Sequence, residues 1–225
     1  MSLLSSYSLF HFTSSLDTLQ SILKGGLRYS WVAEKLPIRG IGYLLQSICF
    51  CNIPLSMIEE HVEWYGKYAI GFKRTALRAK GASPVFYLHS DSALLYKGKN
   101  AFNNYRQERF LPYFKQFYGE QYHPKYGTYK KKLFYDEKEW RLFTGAVELV
   151  RFKDQADLEN KRLEKKNNTK DWKVLPIDPD MIEYIILEKP DDLAPFKDFL
   201  RKHFAPNVED MLTKVLFYSQ IRRDF

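Results

Sequence analysis

Residues 8–26 hold the feature that most limits the fold. Ser8–Thr13 reads as a short strand that runs directly into a helix with both ends marked. Ser14 and Ser15 offer cap oxygens, and Asp17 suits the positive first turn. Leu16, Leu19 and Leu23 form one apolar stripe, joined by Ile22. Gly25-Gly26 then stops the helix. A chain that opens as strand, cap, helix and stop belongs among mixed α+β folds.

The rest of the chain alternates in the same way. Residues 30–46 read as irregular or weakly helical, and Ile48–Cys51 as a buried strand. Pro54 opens a helix that runs to about Tyr65, where Gly66 ends it. Met57, His61, Trp64 and Tyr65 share one face of that helix; Leu55, Ile58 and Val62 share another. Tyr68–Lys73 is a strand, Thr75–Lys80 a short helix and Pro84–Leu88 another strand. Residues 96–132 change character, with 11 aromatics, nine Lys/Arg and two Glu in 37 positions. That density suits a helical insertion or subdomain better than a linker. Leu133–Phe143 returns to strand character, with Glu137, Glu139 and Arg141 on one face and Trp140 and Leu142 on the other. A charged helix and loop follow over 153–171, then strands at Val174–Ile177 and Tyr184–Leu187. Residues 191–225 form a C-terminal helical segment. The whole, 1–225, is expected to be one α+β domain.

Charge and cysteine content narrow the function classes. The chain carries 35 Lys and Arg against 27 Asp and Glu, a formal net charge of +8. Such a balance suits phosphate-rich or acidic partners, or solubility alone. Cys49 and Cys51 are too few for a disulfide framework. With His11 and His61 they suggest a zinc site, but C-x-C followed by a distant His fits no standard zinc spacing. Small buried thiols in a strand are the better reading, and no metal is expected. Met1–Tyr7 lacks the features of a signal peptide, and no apolar run is long enough to span a bilayer. A cytoplasmic protein is therefore expected.

Four groups of residues can carry chemistry. His11 and Thr13 end the first strand just before a capped helix, where clefts form; the plainer alternative is a core histidine and a capping threonine. Tyr65 and Tyr68 flank a helix stop, and either can stack on a planar ring or serve as packing. Glu137, Glu139 and Arg141 share a strand face, either as an exposed charged row or as carboxylates that meet developing positive charge with Arg141 orienting them. The stretch 96–132 can bind RNA or single-stranded DNA by stacking and phosphate contacts, or can be an aromatic cluster with a charged outer face.

Several of these segments together resemble a known family. The order Ser8–Thr13, Leu19…Gly26, Cys49-Phe50-Cys51-Asn52-Ile53-Pro54-Leu55-Ser56, His61, Tyr65-Gly66-x-Tyr68, Pro84-Val85-x-Tyr87 and Tyr135-Asp136-Glu137-x-Glu139-Trp140-Arg141 resembles the AbiGi family of bacterial abortive infection, over roughly residues 8–190. That resemblance implies an antitoxin-side protein paired with a nucleotidyltransferase-like toxin. A more distant similarity is to the ADP-ribosyltransferases. It implies a split mixed and antiparallel sheet with flanking helices, and NAD as the substrate cofactor. His11 and Thr13, with Tyr65 or Tyr68, would then hold NAD, and Glu139 or Glu137, with Arg141, would act in catalysis. Cys49-Phe50-Cys51 departs from that pattern, because a tyrosine is common there. Two functions follow as expectations: an NAD-using effector of phage defence, or a non-catalytic partner of a toxin.

Overall fold

A computed structural model describes residues 5–36, 40–92, 110–123 and 125–224. The opening unit forms as its residues require. β1 (Ser8–Thr13) leads into α1 (Leu16–Gly25), whose N-cap Ser15 accepts from the Thr18 amide at 3.2 Å. β2 (Leu27–Arg28), β3 (Ser30–Lys35) and the long β4 (Ile41–Cys51) follow. A 3-10 turn at Leu55–Met57 precedes α2 (Glu59–Tyr65) and β5 (Tyr68–Lys73). α3 (Arg74–Ala79), β6 (Ser83–Pro84) and β7 (Phe86–Leu88) complete this half. The second half holds β8 (Phe114–Gln116), β9 (Tyr118–His123), β10 (Thr128–Leu133) and β11 (Glu139–Arg151). It ends with α4 (Gln155–Asn168), β12 (Val174–Leu175), β13 (Ile182–Leu187), α5 (Leu193–His203), α6 (Val208–Thr213), β14 (Val215–Phe217) and α7 (Tyr218–Asp224).

The main sheet is mixed, in the order β14-β13-β5-β1-β4-β11-β6, with β3 also on β4. Only β13 and β14 run parallel within it. Its middle strands are buried on both faces, which is why β5 reads as a nearly continuous apolar run. One face packs Leu9, Ile70, Phe72 and Ile185 against Leu19 and Leu23 of α1 and Phe196 and Leu200 of α5. The other packs Phe10, Phe12 and Ala69 against Val62 of α2 and Ile221 of α7. Among the described residues no helix is long and apolar enough to cross a membrane.

The sheet parts along one line. β1 pairs with β5 along its whole length but with β4 only at Phe10–Cys51. Beyond that point β3 takes over the edge of β4, from Ser30–Ser47 to Lys35–Gly42. Between the two pairings β4 is left with unpaired backbone, and a cavity opens over the gap.

Three expectations are corrected here. Within 30–46 the described residues are neither irregular nor helical but form β3 and the first part of β4; residues 37–39 lie outside the described residues. Gly42 explains the misreading: a Cβ there would lie 2.6 Å from the Glu34 carbonyl, so the glycine marks close strand approach rather than a loop. The described part of 96–132 holds no α-helix: after a 3-10 turn at Leu111–Tyr113 it forms β8 and the β9–β10 hairpin; residues 96–109 and 124 lie outside the described residues. Alternating half-buried and exposed residues in β9, followed by Gly127 at φ 64°, make it a hairpin. Within 191–224, where only helix is expected, β14 stands between α6 and α7 and adds a parallel edge to β13.

Candidate functional site

The cavity beside the parting line has a volume of about 720 Å³. Its wall includes His11, Cys49, Cys51, His61, Tyr65, Lys115, Glu137 and Glu139. Of the residues singled out from sequence, His11, Tyr65, Glu137 and Glu139 therefore meet at one place. Thr13 and Tyr68 do not border it. Thr13 sits opposite Tyr68 on β5, and its carbonyl lies against Gly66, where a Cβ would come within 2.3 Å. With φ at 106°, that position takes glycine for two reasons, so Thr13 belongs to the turn. Tyr68 points away and donates to Asp192 at 3.2 Å.

His11 has a definite backbone task. Its Nδ1–H donates to the Cys49 carbonyl at 2.9 Å. That carbonyl lies where β4 has left β1 and not yet met β3, so the imidazole replaces a missing strand partner. A carbonyl only accepts, so the proton is on Nδ1 and Nε2 keeps its lone pair. Burial lowers the His11 pKa, the bond to Cys49 opposing in part, and the ring stays neutral near pH 7. His61 packs between Phe12 (5.0 Å) and Tyr65 (4.5 Å), and burial brings its pKa down to about 3. Both thiols are pushed far up by burial, which makes them inert small side chains. Among the described residues no group of His, Cys, Asp and Glu is arranged to hold a metal.

A buried ion network forms the floor. Glu137 lies in a 3-10 turn (Phe134–Glu137) rather than in the strand, and Lys138 at φ 44° turns the chain into β11. The turn still leaves Glu137, Glu139 and Arg141 in one cluster. Lys115 on β8 donates to Glu137 Oε2 at 2.6 Å and to Glu139 Oε2 at 2.5 Å. Lys132 on β10 pairs with Glu137 Oε1 at 2.7 Å, and the Tyr65 hydroxyl donates to the same oxygen. Arg141 takes Glu139 Oε1 and Glu34 Oε1 and donates to the Pro112 carbonyl at 2.8 Å. Arg141 is completely buried. Burial opposes ionisation of Glu139, but Arg141 and then Lys115 outweigh it and hold the carboxyl at about 2. Lys115 and Lys132 do the same for Glu137, and hold it well below the usual range. For Glu34 burial wins over Arg141 and Lys115, and its pKa is raised.

Lys115, Lys132 and Glu34 did not stand out in the sequence. A charge count gives the only signal: two buried glutamates beside one arginine need a further cation. Lys132 also anchors the hairpin, because its ammonium lies 4.3 Å from the Trp64 ring centre and 4.4 Å from that of Tyr65. Lys132→Met is expected to loosen the β9–β10 hairpin and leave Glu137 short of a partner. Trypsin cleavage at Lys125, Lys130 or Lys131, followed by mass spectrometry, should run about tenfold faster, equivalent to about 1.4 kcal/mol of local opening. Unchanged cleavage would show that Lys132 does not hold the hairpin.

Fold and site together define a mixed α+β protein with an aromatic-walled cavity over a neutralised ion network. The chain belongs to the AbiGi family: the model described as "Putative abortive phage resistance protein AbiGi, antitoxin" matches residues 45–188, close to two thirds of the sequence. The match runs from β4 to the end of β13. It includes Tyr65, Glu137, Glu139 and Arg141 and leaves His11 and Thr13 outside. No curated protein and no solved structure matches the chain.

Proposed function

We propose that the chain is a non-catalytic, antitoxin-side partner of a toxin in phage abortive infection. The saturation of its two candidate catalytic carboxylates carries this reading. Each oxygen of Glu137 and Glu139 already receives a donor from Lys115, Lys132, Tyr65 or Arg141. A carboxylate so held stabilises its own fold; to meet a developing cation it would first have to break buried ion pairs. The family description supports the same role. Co-expression with the adjacent toxin tests it. The chain and its Glu139→Gln variant, scored at equal soluble level, are expected to restore growth and to co-purify with the toxin. Growth arrest caused by the chain alone would overturn the reading.

One observation favours a second reading, an ADP-ribosyltransferase-like effector that uses NAD to modify nucleic acid or protein. His11, Tyr65, Glu137 and Glu139 border one cavity beside a parted sheet, and the cavity is large enough for a nucleotide. In that reading His11 and Tyr65 bind NAD and Glu139 acts on the ribose. Transfer of label from NAD that Glu139→Gln abolishes would establish it in place of the first. Binding of RNA or single-stranded DNA by the described part of 96–132 is supported by its exposed tyrosines and lysines, among them Tyr122, Tyr126, Tyr129, Lys130 and Lys131.

A further inference from the structure

The cavity offers hydrogen-bond acceptors that nothing among the described residues uses. His11 has its Nδ1 proton committed to Cys49, so its Nε2 is a bare acceptor. Gln155, the first residue of α4, also borders the cavity, and its Oε1 is buried without a hydrogen-bond partner among the described residues. A buried acceptor left unpaired costs about 1–3 kcal/mol, which a ligand N–H would recover. The cations are not free to do so. Lys115 is held by Glu137 and Glu139, and Arg162 by Glu159. Neutral N–H donors are therefore the chemistry that the interior lacks.

The wall adds a shape requirement. Tyr122 and Tyr129 face each other across the hairpin with ring centres 5.6 Å apart at 72°, and both border the cavity. They are 52% and 43% exposed, unusual for large rings over a cavity. An edge-on pair of this kind leaves a ring face open for a flat heterocycle.

We infer that the cavity binds an unpaired nucleobase carrying an exocyclic amine, stacked on the Tyr122–Tyr129 pair, with its amino hydrogens directed to His11 Nε2 and Gln155 Oε1. In its strand form this deepens the single-strand reading of the β9–β10 hairpin; it does not rest on the antitoxin or transferase readings, since a base-binding cavity needs neither a toxin nor a transfer reaction. The base has two sources: a free nucleoside, or one residue of a single strand that lies over the hairpin.

Calorimetric titration of the full chain tests the inference with four probes: adenosine, purine riboside (which lacks the amino group), an eight-residue oligoadenylate and the matching oligomer of purine riboside. Adenosine or oligoadenylate is expected to bind at least tenfold more tightly than its counterpart without the amine. Tyr129→Ala and Gln155→Leu should each weaken the favoured probe by about tenfold, the worth of about 1.4 kcal/mol; the melting temperature should be unchanged in Tyr129→Ala and should not fall in Gln155→Leu, which removes an unpaired buried acceptor. Equal binding of adenosine and oligoadenylate assigns the free nucleoside. Much tighter, salt-sensitive binding of oligoadenylate assigns the strand. No binding of either, or no preference for the amine, overturns the inference. The growth-rescue assay does not depend on these probes, so the antitoxin reading can fail or stand separately.

Discussion

Arg141→Met is expected to lower stability by about 3–5 kcal/mol, the usual result of removing one partner from a buried ion pair. Methionine fills much of the same volume, so the loss is chiefly electrostatic. The Arg141 guanidinium serves Glu139, Glu34, the Pro112 carbonyl and the Tyr43 hydroxyl, the last at 3.1 Å. Without it the buried Glu139, the partly buried Glu34 and a carbonyl lose a donor together. In a chain of this size each kcal/mol moves the melting temperature by about 2–4 °C, so a drop of about 10 °C is expected in a thermal melt. Adding Glu34→Gln and Glu139→Gln to Arg141→Met should recover part of the loss, because fewer charges remain unpaired. A single variant that melts within about 2 °C of the native chain would mean that water already screens the network.

The sequence disclosed the cluster but not its chemistry. Glu137, Glu139 and Arg141 stand out by spacing, and alternation suggests a shared face. Alternation was the wrong reason for Glu137, which reaches the cluster from a 3-10 turn through the left-handed Lys138. The local elements β1, α1, α3, β5 and β13 were legible because caps, stops and apolar runs are local signals. β3 was not, since its pairing with β4 depends on β1 having left that edge, a tertiary event without a local mark. The same holds for Lys115. A lysine between Phe114 and Gln116 looks like surface until two glutamates some twenty residues later fold over it. Tyr65 and Tyr68 look alike in sequence, yet α2 sends Tyr65 to Glu137 while β5 sends Tyr68 to Asp192. The difference matters to function, because full neutralisation of the cluster favours the antitoxin reading over the transferase.

Acid should destabilise the chain in two successive ranges. His61 titrates at about 3 in the fold, against 6.5 when free, because burial disfavours its charged form; attraction to Glu137 offsets this only in part, and Lys132 and Lys115 add to it. As pH falls from 6.5 toward 3, the unfolded chain gains a proton that the folded chain refuses. The loss is at most about 1.4 kcal/mol per pH unit for one such group. His11 acts in the same direction. Glu139 is displaced in the same direction, from 4.5 down to about 2, so its contribution is complete above 4.5 and disappears as pH falls toward 2. Urea midpoints should therefore decline gently below pH 6.5 and more steeply below 4.5. His61→Phe keeps a ring between Phe12 and Tyr65 but removes the titration. It should flatten the upper range in part, His11 supplying the remainder, and leave the lower range in place. If the upper slope in His61→Phe equals that of the native chain, the imidazole is hydrated in the fold. The cavity would then be wet at its inner end and a poor place to hold a base by neutral hydrogen bonds.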